Sequence, residues 1–207
     1  MTVGLVRSRG TTMAGGFLAL ALVLSGCSGS DDESSDSPPS EAPTSEAAEA
    51  DAVAGEEAEV EIAEAFEDPD MGDSLEIISA VRDFPSEEHA DLIADGGEVV
   101  LVQVKVAPGE EYGGRISTGN FEISWDDGAD FWNDKTRMVT EEMAAADRPE
   151  LEDVARRDGG ETTGWVAFLV DEKADTYLLN YTRDGAKVIG SDETVDEFTH
   201  EVEIPAP

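Results

Sequence analysis

Seven short strand-like runs, six alternating apolar with polar residues and one apolar throughout, constrain this chain more than any other feature, and all seven lie from Glu59 onward. Successive side chains of a strand point to opposite faces, so a period of two marks a strand with one face buried. "EVEIAEAF" (Glu59–Phe66) opens the series. "GDSLEIISAVRDF" (Gly72–Phe84) puts Leu75, Ile77, Ser79 and Val81 on one face, and "EVVLVQVKVAP" (Glu98–Pro108) does the same with Val100, Val102, Val104 and Val106. "NFEISW" (Asn120–Trp125), "TYLLNYT" (Thr176–Thr182) and "EFTHEVEI" (Glu197–Ile204) continue the pattern. "GWVAFLV" (Gly164–Val170) is apolar on both faces, which predicts a central strand. Gly and Asp clusters at Asp95, Asp126, Arg157 and Arg183 supply turn chemistry between the runs. "RDGAK" after Tyr181 predicts a hairpin turn with Gly185 at positive φ. Two stretches break the alternation. "PSEEHADLI" (Pro85–Ile93) predicts a short helix with Ser86 as N-cap, and "DKTRMVTEEMAAADRPELEDVARR" (Asp134–Arg157) reads as partly helical, broken before Pro149. About seven strands with no regular helix between them predict an all-β antiparallel sandwich rather than a parallel α/β sheet.

The chain before these runs has a different character. Residues 28–59 contain no aromatic residue and one branched aliphatic, Val53, among many Ser, Pro, Ala and acidic residues. Such a composition buries too little apolar area to offset chain entropy, so a disordered acidic spacer is expected. Some 30 residues of flexible chain have an end-to-end distance of about 30 Å, which like-charge repulsion lengthens. The whole chain carries 49 Asp and Glu against 13 Lys and Arg, a net charge of -36. That excludes nucleic-acid binding through phosphate neutralisation, which needs clustered cations, and predicts repulsion from anionic headgroups. Val60–Pro207 alone holds 38 acidic residues and 11 basic ones, a net charge of about -27.

Arg7 and Arg9 precede an apolar run, Met13–Leu24, of the length of a secretory signal and too short to span a bilayer. It ends at Leu24-Ser25-Gly26-Cys27, which resembles the lipobox of bacterial lipoproteins, and Cys27 is the only cysteine of the chain. That resemblance implies a signal peptide over residues 1–26, cleavage before Cys27, and a diacylglycerol-bearing Cys27 thiol. Two acyl chains anchor a protein stably where one is marginal. The expected organisation is a signal peptide (1–26), a lipidated N-terminus with the spacer (27–59) and one folded domain (60–207), displayed on the extracytoplasmic face of a cell membrane.

The folded part carries a second resemblance. Gly72-Asp73 before a strand, "GEVVLVQVKV" (Gly97–Val106), "NFEISWDDGADF" (Asn120–Phe131) and "GGETTGWVAFLV" (Gly159–Val170) occur in the order seen in the telokin-like, immunoglobulin-fold family of Gram-positive secreted antigens and lipoproteins. The resemblance covers roughly Val60–Ile204 and implies an immunoglobulin-like β-sandwich. The family often has an Asn after its Val-rich strand, where this chain has Ala107-Pro108-Gly109, which implies a rebuilt loop.

Catalytic templates are missing. His89 and His200 are not at metal-ligand spacing with each other or with Cys27, and no Gly-x-Ser-x-Gly, Ser-x-x-Lys or phosphate-binding glycine loop occurs. His89 falls in the predicted helical turn, and His200 in a strand where it faces solvent or packs at an edge. "DPDMGD" offers Asp68, Asp70 and Asp73 as half of a calcium loop, but Gly72 falls one place early and Ser79 stands where the last ligand belongs, so solvated acidic turns are the plainer expectation there and at Asp126–Asp130. Among the aromatics, Trp125 reads as core, Trp132 is the better candidate for exposure, and Phe131 and Tyr112 also sit near loops. The expectation is a non-catalytic interaction module with no cofactor, joined to the bilayer through acylated Cys27, with an extracellular or envelope protein as partner. The alternative is a cation-dependent or small-ligand-binding surface lipoprotein.

Overall fold

Each of the seven strand-like runs is a strand. The structure, a computed structural model, describes residues 56–207; the expected signal peptide, Cys27 and the spacer up to Gly55 lie outside the described residues. In chain order the elements are β1 (Ala58–Asp68), β2 (Asp73–Arg82), helix α1 (Ala90–Ala94), β3 (Glu98–Ala107), β4 (Arg115–Ile116), β5 (Phe121–Ser124) and β6 (Trp132–Asn133). Helix α2 (Thr136–Ala145), β7 (Val154–Ala155), β8 (Thr162–Val170), β9 (Tyr177–Arg183), β10 (Ala186–Lys187), β11 (Thr194–Val195) and β12 (Phe198–Ile204) follow. Two four-stranded antiparallel sheets, β1-β2-β3-β8 and β12-β9-β5-β6, face each other, and β4-β7 and β10-β11 form small ribbons. Taking β2, β3, β5, β6, β8, β9 and β12 in turn gives the connectivity of strands A, B, C, C′, E, F and G of an immunoglobulin sandwich. β1 is an added strand on the edge of A, and the segment through α2 stands where strand D would run.

The inner faces bury Leu75, Ile77, Val102, Val104, Val166 and Phe168 from one sheet against Phe121, Ile123, Leu179, Tyr181, Val202 and Ile204 from the other. A second, smaller core lies on the outer face of the first sheet, where Val139 and Met143 of α2 cover Val81, Val99, Leu101, Trp165 and Ala167. That second core corrects two sequence readings. Ser79 and Val81 do not share a face with Leu75 and Ile77, because Ile78 is an extra residue in the β2–β3 register and turns the later strand over. β8 is not central. It is apolar on both faces because a sheet covers one and a helix the other, and it ends its sheet.

Two boundaries also move. The folded part starts at Ala58 rather than Val60, since Ala58 already pairs with Arg82. The hairpin expected at Arg183–Lys187 does not form: β9 pairs with β12 and β5, and β10 turns back onto β11 through a turn in which Gly190, not Gly185, has positive φ (94°). The predicted short helix starts late. Ser86 Oγ accepts from the His89 backbone N–H at 3.1 Å, closing a turn before α1 begins at Ala90.

Candidate functional site

The register places Asp73, Ala107, Thr162 and Arg183 at one end of the sandwich, so that the loops after β1, β3 and β9 converge there. The loops following β3 and β9 correspond to the B–C and F–G loops that bind antigen in antibody variable domains. Between them opens a cleft of about 600 Å³. Its floor is apolar, with Met71 and Val195 buried. Gly113, Gly114 and Arg157 line one wall, and Val188 and Ile189 of the β10–β11 hairpin line the other. Ile189 at the hairpin tip is fully exposed (101%), one of only two exposed large apolar residues among those described. Tyr112 donates a hydrogen bond from its hydroxyl to Glu193 Oε1 at 3.0 Å, bridging the two walls, and that carboxylate pushes the Tyr112 pKa up.

Two buried ion pairs fix the loops beneath the cleft. Arg156 holds Asp73 in a fork, with Nε 3.0 Å from both carboxylate oxygens and Nη2 2.6 Å from Oδ2. Asp73 Oδ1 also accepts the Gly109 N–H at 2.9 Å, and a side chain at Gly109 would lie 1.9 Å from the Met71 carbonyl oxygen. The Ala107-Pro108-Gly109 departure is thus a loop that packs its backbone onto the β1–β2 turn. Arg183 donates from Nε to Asp68 Oδ2 at 2.5 Å and from Nη1 to the carbonyl oxygens of Asp184 and Asp196, while Asp68 Oδ1 accepts the backbone N–H groups of Asp70 and Met71. Burial alone would raise the Asp68 pKa, but Arg183 and these backbone donors outweigh it and hold the carboxyl below its ordinary value.

This arrangement corrects both readings of "DPDMGD": Asp68 and Asp73 are neither calcium ligands nor solvated turn residues. Asp68 and Asp73 are fully buried and already neutralised by arginine, and only Asp70 of the three is exposed. Among the described residues no group of three or more His, Cys, Asp or Glu side chains is placed to hold a metal ion. Asp126 closes its own turn, accepting from Ser124 Oγ at 2.7 Å and from the Asp130 N–H. His200 packs at the sandwich edge, stacked on Phe66 at 4.0 Å and bonded to Glu64, while His89 lies on the turn into α1.

The aromatics separate. Trp125 and Trp132 are both half-buried and stack on each other at 3.7 Å beside Phe131, at the opposite end from Tyr112. Trp125, just past the end of β5, packs against the main core with one face and stacks on the Trp132 ring with the other, so it lies at the margin of the core rather than within it. Arg157 and Ile189 did not stand out in the sequence. No sequence signal marked them: only the structure shows that Arg157, like Lys135 and Arg137, has no carboxylate within ion-pair distance among the described residues. In comparisons with protein-family models, with curated proteins and with solved structures, nothing matches this chain.

Proposed function

We propose that the chain is a lipoprotein anchored through Cys27 on the extracytoplasmic face of a cell membrane. Its sandwich is a non-catalytic immunoglobulin-like module that binds an extracellular or envelope protein through the loop end. The observation that carries this reading is where the chain enters the fold. Ala58 pairs with Arg82 at one end of β1, and Asp68 pairs with Asp73 at the other. The polypeptide therefore arrives at one end of the sandwich and the cleft opens at the opposite end, about 30 Å away along the strand. A tether joined at the entry end leaves the opposite, cleft end clear of the attachment, which in this reading is the lipobox-like Leu24–Cys27. The telokin-like resemblance supports the same reading.

Cys27→Ala should leave the protein soluble or unprocessed, and unchanged partition into detergent would end the lipoprotein reading. Crosslinking on native membranes should then capture a partner with the wild-type chain and lose it with Ile189→Asp and Arg157→Glu together. Capture that is indifferent to both changes would remove the loop end from the binding role. A second reading rests on the cleft volume, which lies within the range of about 300–1,000 Å³ typical of small-molecule sites. It makes the protein a small-ligand-binding lipoprotein.

A further inference from the structure

We propose that the groove between α1 and α2 is a second docking surface, and that its occupant is a cationic amphipathic helix of a partner protein. The groove encloses about 780 Å³ at the chain-entry end of the sandwich, away from the loop cleft. Buried Phe84 and half-buried Ile93 line it with exposed Pro85, beside the small side chains of Ala90 and Ala94 on α1, Ala145 at the end of α2 and Ala146 just after it. Small lining residues leave room for several aliphatic side chains of a ligand between the two helices.

The groove is preformed. Glu142 on α2 accepts a hydrogen bond from Ser86 Oγ at 2.6 Å and from the backbone N–H groups of Glu87 and Glu88 at 2.7 and 3.2 Å, which holds the turn into α1 at a set distance from α2. Burial works against the Glu142 charge, but these donors outweigh it and keep the carboxyl below its ordinary value. Arg148, bonded to the groove-lining Glu57 at 2.5 Å, also lies over the Phe84 ring at 5.5 Å, which ties that rim residue to the apolar lining.

Charge selects the occupant. The groove is rimmed by Glu57, Glu87, Asp91 and Glu142, and no Lys or Arg lines it. Glu57 and Glu142 are engaged as described, whereas Glu87 and Asp91 have no cationic partner among the described residues. A second copy of the chain would bring the same carboxylates face to face. The chain's own residues 28–55 carry eight carboxylates and no Lys or Arg. Like charges set against each other in an interface are strongly disfavoured, so both are poor occupants. A helix with apolar residues at i, i+3, i+4 and i+7 and Lys or Arg at its flanks fills the groove and neutralises the rim.

The two cores lie wholly between Phe66 and Ile204, so a chain beginning at Ser28 keeps every element described. That chain is titrated with a synthetic amphipathic peptide of about 16 residues, Leu on one face and Lys at both flanks, and with its Glu-flanked counterpart. The Lys peptide should bind saturably and weaken about tenfold between about 50 and 300 mM sodium chloride, and the Glu peptide should not bind. Glu87→Lys with Asp91→Lys should weaken it at least tenfold at an unchanged melting temperature. Ala145→Trp, which fills the groove from an exposed position, should abolish binding. Equal binding of both peptides, or indifference to these variants, overturns the proposal. So does tighter binding after residues 28–55 are removed, because the groove would then belong to the spacer.

Discussion

Arg156 and Arg183 are two of only eleven basic residues between Glu56 and Pro207, yet both lie inside the protein, each paired with a fully buried aspartate. Removing one partner of such a pair leaves an uncompensated charge, which costs about 3–5 kcal/mol. Arg183→Ala should therefore lower stability by about that amount in denaturant titrations, and Asp68→Asn with Arg183→Met should regain most of it. A loss below about 1 kcal/mol for Arg183→Ala would show the pair to be dispensable. At the other end, Glu98 accepts from Arg82 at 2.6 Å, from the Asp83 N–H and from the Tyr177 hydroxyl. Burial pushes the Glu98 pKa up, but these donors together bring it below its ordinary value. Asp68 and Glu98 thus titrate lower in the folded than in the unfolded chain. Their contribution is complete above the unfolded carboxylate value of about 4 and is lost as pH falls through the folded values. Melting temperature at fixed ionic strength should hold or rise from pH 7 to 5, as surface repulsion relaxes, and fall steeply below about pH 4. A continued rise there would deny the buried pairs a leading part. None of these pairs was legible beforehand, because a sequence shows Asp68 and Arg183 as turn residues 115 positions apart and gives no sign that the fold brings them together.

At the scale of elements, the vulnerable piece is β8, whose outer edge would otherwise offer unpaired backbone groups to other chains. The chain covers it locally. Trp165 N–H donates to the Pro149 carbonyl, Leu151 N–H to the Trp165 carbonyl, Lys135 N–H to the Ala167 carbonyl, and Ala167 N–H to Thr136 Oγ1. Gly164 permits this cover, since a side chain there would come 2.4 Å from the Leu151 Cα. Gly164→Val should displace residues 149–151, cost about 1–3 kcal/mol and increase aggregation on heating, as measured by light scattering. Wild-type behaviour in both would remove the covering role. The seven strands were legible because their alternation is strong. The position of β8 was not, because an apolar face looks the same whether a sheet or a helix covers it. The turn-over of β2 was hidden for a related reason, since one extra residue at Ile78 reverses the pattern without altering composition. At the loop end, Tyr112 and the Ala107-Pro108-Gly109 loop drew notice from sequence, and Asp68, Asp70 and Asp73 drew it for the wrong chemistry.

For the whole molecule, the 49 acidic residues less the eight before Glu56 leave 41 against 11 basic ones in the described part, a net charge of about -30. Surface carboxylates repel one another across the roughly 8 Å Debye length of physiological salt, and unfolding spreads them apart. Sodium and potassium chlorides should raise the melting temperature alike, and calcium at equal ionic strength should do little more, given that Asp68 and Asp73 are occupied by arginine. Indifference to all three salts would mean that repulsion does not govern stability. The direction of β1 has a mechanical consequence. It runs the length of the sheet from the chain's entry to the cleft end, and Ile204 beside Tyr177 returns the C-terminus to the entry end. A force applied between Ala58 and the Ile189 hairpin acts along β1 and loads its ladder to β2 in shear, so that many hydrogen bonds must break together. A force between Ala58 and Pro207 pulls at one end and peels the same bonds one after another. Single-molecule pulling should therefore find the higher rupture force in the first geometry, the direction in which a bound partner would strain a tethered module.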